Sequence, residues 1–258
     1  APLGLRVDRS SPLLDARLAD GSRVNIVVPP LAIGGPAISI RRFPKAALTL
    51  DWFGPPPLRA ILRELVSERA SVLVVGPTSS GKTSLVAALA DRTDPTDRIV
   101  CIEDTAELPM DRPNLVRLEA RPANSEGVGQ VTLRQLVLTA LRMRPDRLIV
   151  GEVRGAEAFD LLLALTSGHR GCLATCHAAT AAGGLRRIET LAALANSGLG
   201  LERLQGLVTD GLDAVVVTDR QGASRGVREV ALVHDGRLTP RWPRPAALQL
   251  RPDWRGAS

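Results

Sequence analysis

The chain has 258 residues, 45% of them apolar and 23% charged, with 33 basic against 27 acidic residues and a formal charge of +6. That is the composition of an ordinary globular chain, long enough for one large domain or two smaller ones. No apolar run approaches the roughly 20 residues needed to cross a bilayer, and the N-terminus lacks the layout of a secretory signal, so a cytoplasmic location is expected. The basic balance weakly suggests nucleic acid, but the arginines are scattered, aromatics make up 2% and Tyr is absent. A base-stacking surface is hard to build from such a set, which makes nucleic acid an unlikely partner. Peripheral association with anionic lipid, or with an acidic partner, is compatible with the charge.

Residues before Ser11 carry no strong pattern. Asp20-Gly21-Ser22 marks a turn between Asp15–Ala19 and Arg23–Val28, which predicts a hairpin. Pro29-Pro30 stops the second segment and Ala37–Arg41 reads as a further strand. A few strands cannot form an independent core, so residues 1–50 are expected to be the remnant of a longer N-terminal domain. Asp51–Pro57, with Gly54 and three consecutive prolines, reads as a linker. Residues 58–258 are then the second domain.

Leu58, Ile61, Leu62, Leu65 and Val66 form an apolar helical stripe. It leads into Val72-Leu73-Val74-Val75, a short β-branched run typical of a buried parallel strand. Then comes Gly76-Pro77-Thr78-Ser79-Ser80-Gly81-Lys82-Thr83-Ser84, followed by Leu85, Val86 and Leu89 at helical spacing. This is G-x-x-x-x-G-K-[ST] between a strand and a helix, the context that a phosphate-binding P-loop requires. Its backbone N–H groups and the helix N-terminus can cradle an anion. Lys82 can reach the β- and γ-phosphates and the Thr83 hydroxyl can ligand Mg²⁺. A nucleoside triphosphate is therefore expected; no base-reading motif indicates which one.

Arg98–Ile102 is the next predicted strand and ends in Glu103-Asp104; Asn114–Ala120 is another. Leu133, Leu136, Val137 and Leu141 predict a helix that stops before Pro145. Leu148-Ile149-Val150 reads as a buried strand ending at Gly151-Glu152, and a helix follows through Leu165. The strand Cys172–Cys176 leads to His177. Asp213–Thr218, Val227–Val233 and Arg237–Trp242 predict small strands closing one end. Alternating strands and helices indicate a doubly wound α/β fold with its active groups at the strand C-termini. Glu103 and Glu152 are candidates to hold Mg²⁺ and polarise water, with helix capping as the alternative for each. Gly151 stands where an Asp commonly completes the Mg²⁺ shell. Cys172, Cys176, His169 and His177 do not match zinc-ligand spacing.

Leu148-Ile149-Val150-Gly151-Glu152-Val153-Arg154-Gly155 resembles the Walker B region of the type II and type IV secretion ATPases. Cys101-Ile102-Glu103-Asp104-Thr105-Ala106-Glu107-Leu108 is similar to that family's Asp box, and Gly168-His169 with Ala174-Thr175-Cys176-His177-Ala178 to its His box. Asp15-Ala16-Arg17-Leu18, Asp20-Gly21-Ser22-Arg23-Val24-Asn25 and Ile40-Arg41-Arg42-Phe43 resemble the tight-adherence (Flp pilus) branch. The resemblance implies a RecA-like P-loop ATPase domain behind a truncated, strand-rich (PAS-like) N-terminal domain, using ATP and Mg²⁺. Glu103 matches the carboxylate that activates water, Glu152 the Walker B glutamate of the Mg²⁺ shell, and His177 the γ-phosphate sensor. Arg17 and Arg41, with Arg42 beside them, match arginines brought over the nucleotide. Arg142 and Arg144 match charge-stabilising positions near a subunit boundary. The implied machine is a ring, a homo-hexamer, that drives an inner-membrane platform protein of a pilus or secretion system. The alternatives are a type IV secretion ATPase moving DNA or protein, and a RecA-like nucleic-acid motor.

Overall fold

The structure, a computed structural model, describes residues 6–18, 21–42, 48–123, 127–221 and 224–243. Ala19, Asp20 and Phe43, which enter the sequence motifs, lie outside them. The chain divides into two compact units, Ala1–Ala46 and Ala47–Ser258.

The first unit is an antiparallel sheet of β1 (Leu13–Arg17), β2 (Arg23–Val27) and β3 (Ala37–Arg41) in that order. Its register makes one face apolar, with Ala16 opposite Val24 and Val24 opposite Ile40. The other face carries Asp15, whose Oδ1 accepts from Asn25 Nδ2 at 3.0 Å. At one end of that face Arg17 pairs with Arg23, and Arg23 with Arg41. Three arginines thus form a cross-strand row. Like charges in direct opposition are unfavourable unless other groups compensate them.

The second unit begins with a 3-10 turn, Leu50–Phe53, and α1 (Pro56–Ser67). Asp51–Pro57, expected as a linker, spans the end of this turn, Gly54-Pro55 and the start of α1, with Leu50 and Phe53 buried. The unit is built on an eight-stranded sheet. In chain order the elements are β4 (Val72–Val75), α2 (Lys82–Ala90), β5 (Ile99–Glu103), β6 (Leu115–Glu119), α3 (Leu133–Leu141), β7 (Arg147–Val150) and α4 (Glu157–Thr166). They continue with β8 (Leu173–Cys176), α5 (Ala181–Ala193), α6 (Leu201–Gly211), β9 (Ala214–Gln221), β10 (Ser224–His234) and β11 (Arg237–Trp242). The spatial order is β11-β10-β9-β4-β8-β7-β5-β6. β9 lies parallel to β4 inside the sheet, so it is an inner strand and not a small closing one. Only β10 and β11 run antiparallel as a meander.

The strand runs have no polar alternation because both faces are covered. Leu73 and Val75 pack with Leu162, Ile188 and Val208 on one face. Val72 and Val74 pack with Leu58, Leu62, Leu85 and Leu89 on the other. α2 is apolar nearly all round, with Leu85–Ala90 all buried, which anchors the helix whose N-terminus carries the P-loop. Where the parallel strands begin, buried Arg147 pairs with buried Asp97 at 2.6 Å and donates to Val66 O at 3.0 Å. Where they end, the motifs gather.

Candidate active site

The P-loop leaves β4 at Gly76 and enters α2 at Lys82. Gly76 admits no side chain: a Cβ there would lie 2.4 Å from Thr218 Oγ1 and 2.5 Å from Ser80 Oγ. Those two hydroxyls meet at 2.7 Å, and Thr218 also donates to Val75 O at 3.1 Å. Buried Thr218, on β9, therefore floors the loop, a role the sequence motifs did not reveal. Pro77, Thr78 and Ser79 are exposed above it, with Ser79 at φ 62° and Gly81 at φ 94°. Thr83 and Ser84, half-buried in the first turn of α2, keep hydroxyls without a partner among the described residues.

Lys82 is mostly buried, and Nζ donates to Gly76 O and Pro77 O, each at 3.0 Å. Its third contact is His177 Nδ1 at 3.2 Å, at the end of β8. An ammonium has three N–H donors and no acceptor, so Nδ1 must accept and the imidazole proton sits on Nε2. That nitrogen lies 3.1 Å from Glu152 Oε1. Glu152 Oε2 accepts from Arg154 Nη2 at 2.9 Å, and Arg154 Nη1 donates to Asp104 Oδ2 at 3.0 Å. One polar chain, Lys82–His177–Glu152–Arg154–Asp104, thus joins the ends of β4, β8, β7 and β5. Burial pushes the Lys82 ammonium down in pKa, against the opposing charge of Glu152. For Glu152 burial pushes upward, but the Arg154 hydrogen bond and charge, His177 and Lys82 outweigh it and hold the carboxyl below its ordinary range.

Glu103 is placed differently from what its motif implies. It is 3% exposed. Oε1 accepts from the N–H groups of Glu107 and Leu108, both at 2.8 Å, and Oε2 from Arg117 Nη2 at 2.9 Å. A carboxylate so enclosed organises the Asp104–Leu108 loop. It also explains Gly151: a Cβ there would lie 2.9 Å from Glu103 Cγ, so the Asp common at that position has no room. On the same loop Glu107 is half-buried and adds to the field that raises the Arg154 pKa.

Arg142 and Arg144 are exposed on the turn from α3 into β7. That turn holds the start of β5, with Arg98 Nε donating to Met143 O at 2.8 Å. It lies at the sheet edge where the strands begin, opposite the P-loop, so neither arginine joins the site of its own chain. Arg17, Arg41 and Arg42 belong to the first unit, where Arg23 completes the row that sequence reasoning left at two. The three cysteines are buried, and burial pushes the thiols of Cys172 and Cys176 up to about 12. They are inert thiols rather than ready nucleophiles.

A strand–P-loop–helix unit beside an ionised, strand-end glutamate and a histidine defines a nucleoside-triphosphate-hydrolysing enzyme. The Type II/IV secretion system protein family matches residues 3–219, and the chain belongs to that family. A Mycobacterium tuberculosis protein whose name places it in conjugal transfer is 41% identical over 250 residues, covering 91% of this chain and 70% of the relative. The type IV secretion system protein PtlH of Bordetella pertussis is 38% identical over 252 residues, covering 85% and 74%. Among solved structures, the VirB11 ATPase of the Brucella suis type IV secretion system, in complex with sulphate, aligns with a TM-score of 0.61. It is 28% identical, covering 88% of this chain and 75% of its own. The chain is an ATPase of this family with the RecA-like fold.

Proposed function

We propose that the chain is the ATP-hydrolysing motor subunit of a tight-adherence pilus machine, working as a homo-hexameric ring against an inner-membrane platform protein. The observation that carries the hydrolytic part is the polar chain from Lys82 through His177 to Glu152, which sets a phosphate grip beside an ionised carboxylate. ATP binds with its polyphosphate over residues 76–84, and its phosphates displace the carbonyls and the imidazole from Lys82. Thr83 and Glu152 are hard oxygen donors suited to Mg²⁺, which when bound neutralises phosphate charge. Glu107 orients the attacking water from the loop that Glu103 holds in place. His177, released from Lys82, reports on the γ-phosphate through Glu152.

Arg17 and Arg41, with Arg42, supply cationic charge from the N-terminal unit. Arg142 and Arg144 act across a subunit boundary, which accords with their exposure on the far edge of the sheet. An arginine delivered to the transferring phosphoryl group is worth about 10³–10⁵ in rate. Nucleotide-driven closure of the first unit is the mechanical output. No helix of the described residues is long and apolar enough to cross a membrane. In this reading the motor works at the inner face of the cell membrane through its platform partner.

The names of the 41% and 38% identical relatives favour a second reading, a type IV secretion or conjugal transfer ATPase. Deleting the gene in its source organism separates the two: loss of surface pili supports the first, loss of DNA or protein export with pili intact the second. Lys82→Ala and Glu152→Gln are expected to abolish ATP turnover while leaving the circular dichroism spectrum that of the folded chain. Full turnover in either variant overturns the site. Turnover stimulated by DNA with a steep salt dependence would instead mark a nucleic-acid motor.

A further inference from the structure

One flank of the P-loop is built by β10 and the 3-10 turn, to which the site above gives no role. The order β5-β7-β8-β4-β9-β10 puts Glu152 and His177 on one side of β4 and the β9–β10 hairpin on the other. That order leaves the β10 side open to the α-phosphate and ribose of a triphosphate whose γ-phosphate lies toward Glu152 and His177.

Arg225 of β10 occupies that side. A Cβ built at Gly81 would lie 3.8 Å from Arg225 Cδ and 3.9 Å from its Cβ, so the arginine stem runs along the loop just before Lys82. The position is braced. Phe53 is 3% exposed, its ring carbon Cε1 is 3.7 Å from the same Gly81 point, and its carbonyl is 3.4 Å from where Gly226 would carry a Cβ. The 3-10 turn and β10 thus pack together against the P-loop and fix the backbone from which Arg225 projects. The Arg225 side chain is exposed, and its guanidinium has no hydrogen bond or ion pair among the described residues. Arg228, three positions on, differs: its donors go to Asp219 Oδ2 at 3.1 Å and to Ala179 O. An uncommitted, permanently charged fork beside a phosphate loop is suited to bidentate contact with a phosphate.

We propose that Arg225 is a nucleotide-contacting residue that grips the α-phosphate and ribose end of the bound triphosphate from the chain that supplies the P-loop. The inference rests on the reading of residues 76–84 as an ATP site. It makes Arg225 a determinant of affinity for triphosphate and diphosphate alike, because both carry that end.

The test is calorimetric titration of ATP and ADP into the whole chain, its Arg225→Ala and Arg225→Lys variants, and Lys82→Ala, alongside steady-state turnover. Arg225→Ala should weaken ATP and ADP by one common factor, roughly tenfold for the loss of a charge-assisted contact. The rise in KM should account for most of the fall in kcat/KM, and Arg225→Lys should recover part of it. Unchanged affinity for both nucleotides overturns the inference. So does a loss confined to ATP with a matching fall in kcat, which would put the guanidinium on the γ-phosphate. If the wild-type chain binds neither nucleotide, the P-loop reading itself fails; if wild type and Arg225→Ala bind equally, only the role of Arg225 fails.

Discussion

The ammonium of Lys82 lies 3.2 Å from Nδ1 of His177, 95 residues along the chain. The contact completes the three donors of Lys82 and fixes the imidazole proton on the nitrogen that faces Glu152. The nucleotide-free loop is thereby self-satisfied, and phosphate has to compete for Lys82.

Replacing His177 tests that coupling. His177→Phe keeps a ring but removes both nitrogens, so Glu152 loses one donor and Lys82 one acceptor. Turnover is expected to fall about 10²-fold, the scale of losing one aligned group that acts on transition-state charge. ATP affinity should rise modestly, because phosphate no longer competes with the imidazole for Lys82. Single-turnover rates and equilibrium titration measure the two separately; wild-type turnover would overturn the role of His177.

Arg154 sets the acid limit. Burial raises the Glu152 pKa, but Arg154, His177 and Lys82 bring it below the ordinary value of 4.5. A depressed folded-state pKa means the contribution to stability is fully present above the unfolded value and is lost as pH falls through the folded one. Arg154→Ala removes the strongest of the lowering groups. The acid limb of kcat/KM and the acid-unfolding midpoint should both move to higher pH. Profiles that superimpose on wild type would rule out this control.

Much of this arrangement was legible in the sequence because buried parallel strands are written as unbroken apolar runs. Val72–Val75 and Leu148–Val150 announced both their burial and their polar ends. Val215-Val216-Val217 carries the same signal and is fully buried, yet its place near the C-terminal end of the sequence made it read as a closing strand. α5 gives a weak signal in the sequence, because Ala181-Ala182-Gly183-Gly184 opens it with small residues and two glycines. Thr180 nevertheless caps it, its hydroxyl accepting from Gly183 N at 3.0 Å, and Ile188 and Leu191 bury its inner face. The contacts of Glu152 with His177 and Arg154, and of Thr218 with Ser80, depend on strand neighbours in space. No local pattern encodes that order.

Thr218 should matter without touching nucleotide. Thr218→Val keeps the shape but leaves the buried Ser80 hydroxyl with one partner fewer and Val75 O without its donor. Stability should drop by about 1–3 kcal/mol, the range for an unsatisfied buried group. Because the change sits under the loop, ATP affinity should fall as well, whereas Thr218→Ser should restore both. Chemical denaturation and nucleotide titration provide the check.

Glu103 and Glu107 separate architecture from chemistry. Glu103 receives two backbone N–H groups and Arg117 in a buried setting, so Glu103→Ala strands donors that have no water to turn to. A loss of about 2–3 kcal/mol is expected, which for a domain of this size lowers the melting midpoint by roughly 6 °C. Turnover should fall with it, since the Asp104–Leu108 loop loses its anchor. Glu107→Gln, a half-buried and isosteric change, should suppress turnover while shifting the melt less than Glu103→Ala does. If instead Glu103→Gln melts like wild type and alone abolishes hydrolysis, Glu103 is the group that activates water, and the loop must rearrange to expose it when ATP binds.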